Sequence, residues 1–142
     1  MSGTLEVCIA LRKRLTDAAP GCAIAASLVA WENVKFTPVA GTRYYRATFL
    51  PGTPRAAAIG SDAPNRHVGL FQVDIFDPVG RGDNATAAEA ERIAACYKRG
   101  TVLTYSGVTV RAERSWVSRV PQDDPAWYRQ SVRVEWRADV PN

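Results

Sequence analysis

Apolar residues in this chain keep two different periods, and the order in which those periods alternate limits the fold more than any single motif does. From the N-terminus, Leu5, Cys8, Leu11, Leu15 and Ala18 step by three or four, which marks one face of an amphipathic helix. Thr4 is placed to cap its first turn, Glu6 sits near the positive end of the dipole, and Pro20-Gly21 stops it. The spacing predicts a helix from Leu5 to Ala19. A second stripe comprises Ala87, Ala90, Ile93, Ala94 and Tyr97. It follows Thr86-Ala-Ala-Glu89, which has capping-box spacing, and precedes Gly100 as its stop, with Lys98 and Arg99 suited to the negative dipole end.

Elsewhere the period is two. Tyr45, Ala47 and Phe49 alternate with Arg46 and Thr48 up to Pro51-Gly52, and Phe71, Val73 and Ile75 alternate with Gln72 and Asp74 up to Asp77-Pro78. A shorter strand is expected around Ala26–Trp31. Thr101–Tyr105 and Val108–Arg114 flank Ser106-Gly107, a two-residue hairpin signal. A polar stretch from Ser115 to Ala126 then leads to Trp127–Arg137, where Val132, Val134 and Trp136 face one way. Helix, two or three strands, helix, three strands is the order of an α+β fold. Two helices packed on one face of a mostly antiparallel or mixed sheet of five to six strands accommodate it. With 142 residues the chain has the length of one domain, residues 1–142.

Between the two central strands lies Pro51–His67, rich in Pro, Gly, Ala and Asn. It is far longer than the two to five residues of a hairpin, and connections of that length are usually functional or mobile. An exposed, weakly apolar loop on a small sheet suits contact with a partner, and Arg55, Asn65, Arg66 and His67 are its candidate contact residues.

The composition excludes several classes. At 46% hydrophobic and 23% charged the chain is neither disordered nor fibrous. No apolar run approaches the roughly 18–20 residues of a membrane span, and charges interrupt the N-terminal apolar stretch, so no membrane partner or signal peptide is expected. The chain reads as a soluble, cytosolic protein. Its net charge of +4 comes from basic residues scattered along the sequence, the densest group being Arg12-Lys13-Arg14, read as a solvated helix face. The three cysteines, Cys8, Cys22 and Cys96, lack CxxC spacing and His67 is the sole histidine, so neither a disulfide framework nor a metal site is expected. Buried free thiols fit better.

Chemistry is equally sparse. The sequence holds no GxSxG, HExxH or GxxxxGK[ST], and His67 reads as a loop-end residue rather than a base. Asp123 and Asp124 are adjacent, so on an extended chain their carboxylates point apart. Arg81-Gly82-Asp83 matches the integrin-binding tripeptide, but Gly and Asp serve a turn there for backbone reasons. Arginines interleave with aromatics along Arg43–Phe49 as they do on single-strand-binding surfaces, yet Tyr45 and Phe49 share the apolar face with Ala47 and read as core. No catalytic residue, cofactor site or metal site is expected.

Five blocks carry a resemblance. They are Trp31-Glu-Asn-Val-Lys-Phe-Thr-Pro-Val-Ala-Gly, Tyr45-Arg-Ala-Thr-Phe-Leu-Pro-Gly, Asn65-Arg-His-Val-Gly-Leu-Phe-Gln-Val-Asp-Ile-Phe, Lys98-Arg-Gly-Thr-Val-Leu-Thr-Tyr and Val134-Glu-Trp-Arg-Ala. Together they resemble a family of small tailed-phage and prophage proteins, similar in size and element order to the tail terminators (minor tail protein U type) of long-tailed siphophages. The resemblance implies an α/β sandwich with two helices and no catalytic residues. It implies a structural subunit of the virion tail, assembled in the host bacterial cytoplasm. Such subunits, monomeric when dilute, form hexameric rings that cap the tail tube, stop its growth and offer a head-attachment surface. The implied partners are other copies of the chain, the tail tube protein and a head-completion or neck protein, with DNA passing the ring without base reading. A head–tail connector and a small nucleic-acid-binding module are the alternative readings.

Overall fold

The computed structural model describes residues 3–119 and 124–142. Helix α1 spans Thr4–Thr16, shorter than the expected Leu5–Ala19. Its cap is Gly3 rather than Thr4: Gly3 is left-handed at φ 81°, and a Cβ there would fall 2.5 Å from Val140, so only glycine lets the chain enter at that point. The helix ends before Pro20 because Asp17 is already extended. The buried face also differs from the expected stripe. Val7, Cys8, Ala10, Leu11 and Leu15 are buried, whereas Leu5 is exposed.

Of the expected strand Ala26–Trp31, residues Ala26–Leu28 form a 3-10 turn and Val29–Ala30 form β1, parallel to its neighbour. Strand β2, Tyr44–Pro51, is antiparallel to β4, Asn65–Pro78, with Ala47 opposite Val73 and Phe49 opposite Phe71. The segment expected as a loop from Pro51 to His67 is more structured than its composition suggests. Pro51 belongs to β2, Asn65–His67 belong to β4, and Arg55–Ala56 form β3, which pairs with Asn65 and Arg66. The connection is thus a small hairpin, closed by the Ala57 N–H donating to the Pro64 carbonyl at 2.8 Å.

Helix α2 covers Asn84–Cys96, with Asp83 at its N-cap position and no side-chain capping bond. The expected capping box is not used. Thr86 is buried inside the first turn and donates its hydroxyl to Asp77 at 2.6 Å, while Glu89 accepts from Arg92 and Tyr45. Lys98, Arg99 and Gly100 lie beyond the helix end.

Strand β5, Val102–Tyr105, turns through Ser106 (φ 48°) and Gly107 (φ 82°) into β6, Val108–Arg119, as the hairpin signal requires. β6 runs five residues past its expected end after a bulge between Ala112 and Arg114. β7, Trp127–Val140, extends as far as Val140.

The strand order is β1-β2-β4-β7-β6-β5, with β3 on the start of β4, seven strands in all, one more than the five to six expected. The parallel β1 makes the sheet mixed. Both helices lie on the same face. Val7, Leu11 and Leu15 of α1 and Ala90 and Ile93 of α2 join Ala47, Phe71, Val73, Ile75, Val132, Val134 and Trp136 in one apolar cluster. Tyr97, fully buried, donates its hydroxyl to the Leu11 carbonyl at 2.6 Å and ties the end of α2 to α1. Arg14 does the same through the Cys96 carbonyl at 3.0 Å, so it is a structural tie rather than part of a solvated basic face.

Candidate assembly surfaces

Three regions hold the residues of interest: the β3–β4 hairpin, the polar seam under α2, and the sheet face turned away from the helices. In the hairpin, Arg55 is exposed on β3 opposite Arg66. Arg66 makes a bidentate bond to Asp139 of β7, at 2.9 and 3.1 Å, inside its own chain. The bonds donated by Arg66 hold the Asp139 carboxyl below the usual aspartate range. Asn65 donates to Asn142 at 3.3 Å. His67 is 7% exposed, opposite Ala138, and its side chain turns to the helix-covered face. The four candidate contact residues are therefore neighbours, but among them Arg55 is exposed, Asn65 and Arg66 are half-buried and His67 is buried. Sequence reasoning missed Ile59 at the hairpin's end, which is completely exposed. A β-branched apolar residue next to Gly60 in an Ala-rich stretch was the available signal.

The polar seam is structural. Arg43 forks onto Asp77 at 2.6 and 3.0 Å, and Asp77 also accepts from Thr86. Tyr45 donates to Glu89, which is held by Arg92 as well, and Arg92 reaches the Cys22 carbonyl at 2.6 Å. Burial alone would raise the Glu89 carboxyl, but the bonds from Arg92 and Tyr45 and the charges of Arg92 and Arg43 outweigh it and hold Glu89 low. Burial, together with the neighbouring Cys96 thiol, pushes the Cys22 thiol up well past its ordinary value. Such a thiol is inert at neutral pH. Among the described residues, no group of three or more His, Cys, Asp or Glu side chains is placed to hold a metal ion.

The helix-free sheet face is where charge collects. Alternation along β7 puts Arg129, Arg133 and Arg137 on it, with Ser131 and Glu135 between them and Asp139 after Arg137. Register brings Arg46 of β2, Arg66 of β4, Arg55 of β3, and Arg111 and Arg114 of β6 to the same side. Among the described residues, Asp74, Glu113, Glu135 and Asp139 stand among these arginines, paired with Arg46, Arg137, Arg114 and Arg66 respectively. Eight of the chain's 18 basic residues are thus gathered by strand pairing onto one surface. At one end of this face Tyr44 stacks on Phe76 at 4.5 Å with Trp127 edge-on, and Arg46 and Arg129 lie over the Phe76 ring. Asp74 and Phe76 are consequently buried although they point away from the helices, because this second cluster covers them.

Of the remaining sequence features, Gly82 is left-handed (φ 76°) in the segment that leads into α2, and Asp83 pairs with Arg119 at 3.4 Å. The Arg81-Gly82-Asp83 tripeptide therefore serves the entry to α2. Asp123 lies outside the described residues, and Asp124 accepts the Ala126 N–H at 2.8 Å. No described helix is long and apolar enough to cross a membrane.

No curated protein matches the sequence. One solved structure is 27% identical, covers 94% of this chain and 92% of its own, and superposes with a TM-score of 0.65. A chain from the virion of a native gene transfer agent particle shares the fold at 20% identity and TM-score 0.52, with the same coverage of 94% and 92%. The phage tail terminator protein family matches residues 6–136, from the first turn of α1 to the core tryptophan of β7. The chain therefore belongs to the phage tail terminator family, and is a structural protein of a phage tail.

Proposed function

We propose that this protein is the ring-forming terminator subunit of a tail, acting as one domain over residues 1–142. Copies associate head to tail into a six-membered ring on the end of the tail tube, stopping its growth and presenting a surface to a head-completion protein. Assembly takes place in the host cytoplasm, and DNA passes the finished ring. The observation that carries this reading is the family match over nearly the whole two-helix, one-sheet fold. A closed ring needs two different patches on each subunit. The β3–β4 hairpin supports such a role, because Arg55 and Ile59 are presented to solvent from a short, paired stem. Arg66 and His67 contribute by holding that stem in place, through Asp139 and through burial respectively.

The test is electron microscopy and mass photometry of the concentrated protein, alone and with purified tail tubes. Six-fold rings or capped tubes are expected. Arg55→Glu and Ile59→Asp should each reduce ring formation at least tenfold while leaving the melting temperature of the monomer unchanged. A protein that stays monomeric at high concentration and ignores tubes would defeat the proposal; unaltered rings in both variants would remove the hairpin from it.

A further inference from the structure

We infer that the groove between α1 and the segment Ala26–Trp31 receives the β3–β4 hairpin tip of a second copy of this chain, with Ile59 as the inserted side chain. The inference rests on the ring reading and adds where each subunit receives its neighbour. The groove is lined by Ile9, Arg12, Lys13 and Thr16 of α1 and by Ala26 and Trp31, and encloses about 260 Å³. That is below the ~300–1,000 Å³ of small-molecule pockets, and it suits one branched side chain with the backbone beside it. Ile9, Ala26 and Trp31 make the lining largely apolar, and Arg12 lies over the Trp31 ring at 5.8 Å. Tryptophan and arginine are the side chains that most often anchor protein interfaces. Leu5, one turn before Ile9 on α1, is exposed and extends the apolar surface.

The occupant follows from what the chain leaves uncovered. Ile59 is wholly exposed, so the tip does not fill the groove of its own chain. The tip is nevertheless built. Ala63 donates its N–H to the Gly60 carbonyl at 3.2 Å, and the Asn142 side-chain amide donates to the Ser61 carbonyl at 2.5 Å. A loop already held in one shape loses little freedom on insertion. Charge agrees in sign. The charged residues of the lining, Arg12 and Lys13, are both cations, whereas Asp62 is the one charge between Ala57 and Pro64 and has no cationic partner among the described residues. Lys13 and Arg12 also hold Asp17 at 3.1 Å and Glu32 at 3.5 Å, outside the lining, so Asp62 contributes register more than affinity. The two elements lie apart, as a head-to-tail contact requires. The groove flanks β1, the strand at one edge of the sheet, while the tip continues β4 backwards from Asn65, where the pairing with β7 ends.

Native mass spectrometry of the full chain, with electron microscopy on tail tubes, tests this. Ala26→Glu fills the groove with its own side chain and should reduce ring formation roughly tenfold. Lys13→Glu and Asp62→Lys should each weaken it about threefold, the size of an exposed ion pair, and combined should restore it to within about twofold of the parent. Ala26, Lys13 and Asp62 are exposed, and circular dichroism checks that each variant keeps the parent's fold. An equimolar mixture of Ile59→Asp and Ala26→Glu holds one sound tip and one sound groove per pair, so it should give heterodimers and no rings. Rings that persist in Ala26→Glu, rings from that mixture, or a combined charge variant no better than its parts would overturn the inference. Rings lost in Leu50→Glu but kept in Ala26→Glu would overturn it in favour of the helix-free sheet face. A parent that forms no rings on tubes defeats the assembly reading itself, whereas parent rings indifferent to Ala26→Glu defeat this inference alone.

Discussion

A methyl group at position 69 would have to enter space that two neighbours already fill. Gly69 lies on β4 between Pro51 of β2 and Trp136 of β7. A Cβ built there falls 2.4 Å from the Leu50 carbonyl oxygen and 2.7 Å from Cζ2 of Trp136. The tryptophan is 1% exposed and stacked on Phe49, with 5.4 Å between ring centroids, so it has little room to retreat. The Leu50 oxygen is backbone, and it moves only if the pairing of β2 with β4 opens. Replacing glycine by alanine ordinarily gains about 0.4–1 kcal/mol by restricting the unfolded chain. Overpacking a filled core costs about 1–3 kcal/mol, and two contacts well below van der Waals distance put this site at the upper end. The steric cost wins. Gly69→Ala should lose about 2 kcal/mol net, which for a domain of this length lowers the melting temperature by about 6 °C. Differential scanning calorimetry at neutral pH reads this directly. A variant that melts at or above the parent temperature would mean that the β2–β4–β7 packing has slack, and the steric reasoning would fail.

Two further outcomes follow from the polar interior. Glu89 is held low in the folded state, so the unfolded chain takes up a proton first as pH falls. The stability from this group is present at neutral pH and is lost progressively below about 4.5, the ordinary glutamate value. Melting temperatures from pH 7 to pH 3 should therefore fall less steeply in Glu89→Gln than in the parent; parallel profiles would exclude Glu89 as a source of acid sensitivity. Tyr97→Phe deletes the buried hydroxyl that donates to the Leu11 carbonyl, and should cost about 1 kcal/mol, or about 3 °C. An unchanged melting temperature would show that this tie between the helices contributes nothing.

Much of the architecture was readable because one face of a sheet and one stripe of a helix must be apolar for the fold to close. The alternations at Tyr45–Phe49, Phe71–Ile75 and Val132–Trp136 and the Ser106-Gly107 turn all mark elements that the structure contains. Boundaries were less readable, since they depend on what lies nearby in space. Gly3 caps α1 because Val140 crowds it, and Thr86 leaves the capping role because Asp77 of a neighbouring strand takes its hydroxyl. Arg55 and Ile59 stand on a paired hairpin rather than a long loop because Arg55–Ala56 find Asn65 and Arg66 across the chain, a contact with no local signature.

The sequence by itself determined the α+β class, the core-facing residues of the central strands and the want of any recognisable chemical motif, and five of its blocks pointed to the tail-terminator group. Only the tertiary structure decided where the charge goes. The alternation in β7 already implies that Arg129, Arg133 and Arg137 share a side. That Arg46, Arg55, Arg66, Arg111 and Arg114 join them depends on strand order and register. Those are fixed by pairing between residues far apart in the chain, and a shift of one residue in any pairing would have sent its arginine to the opposite face.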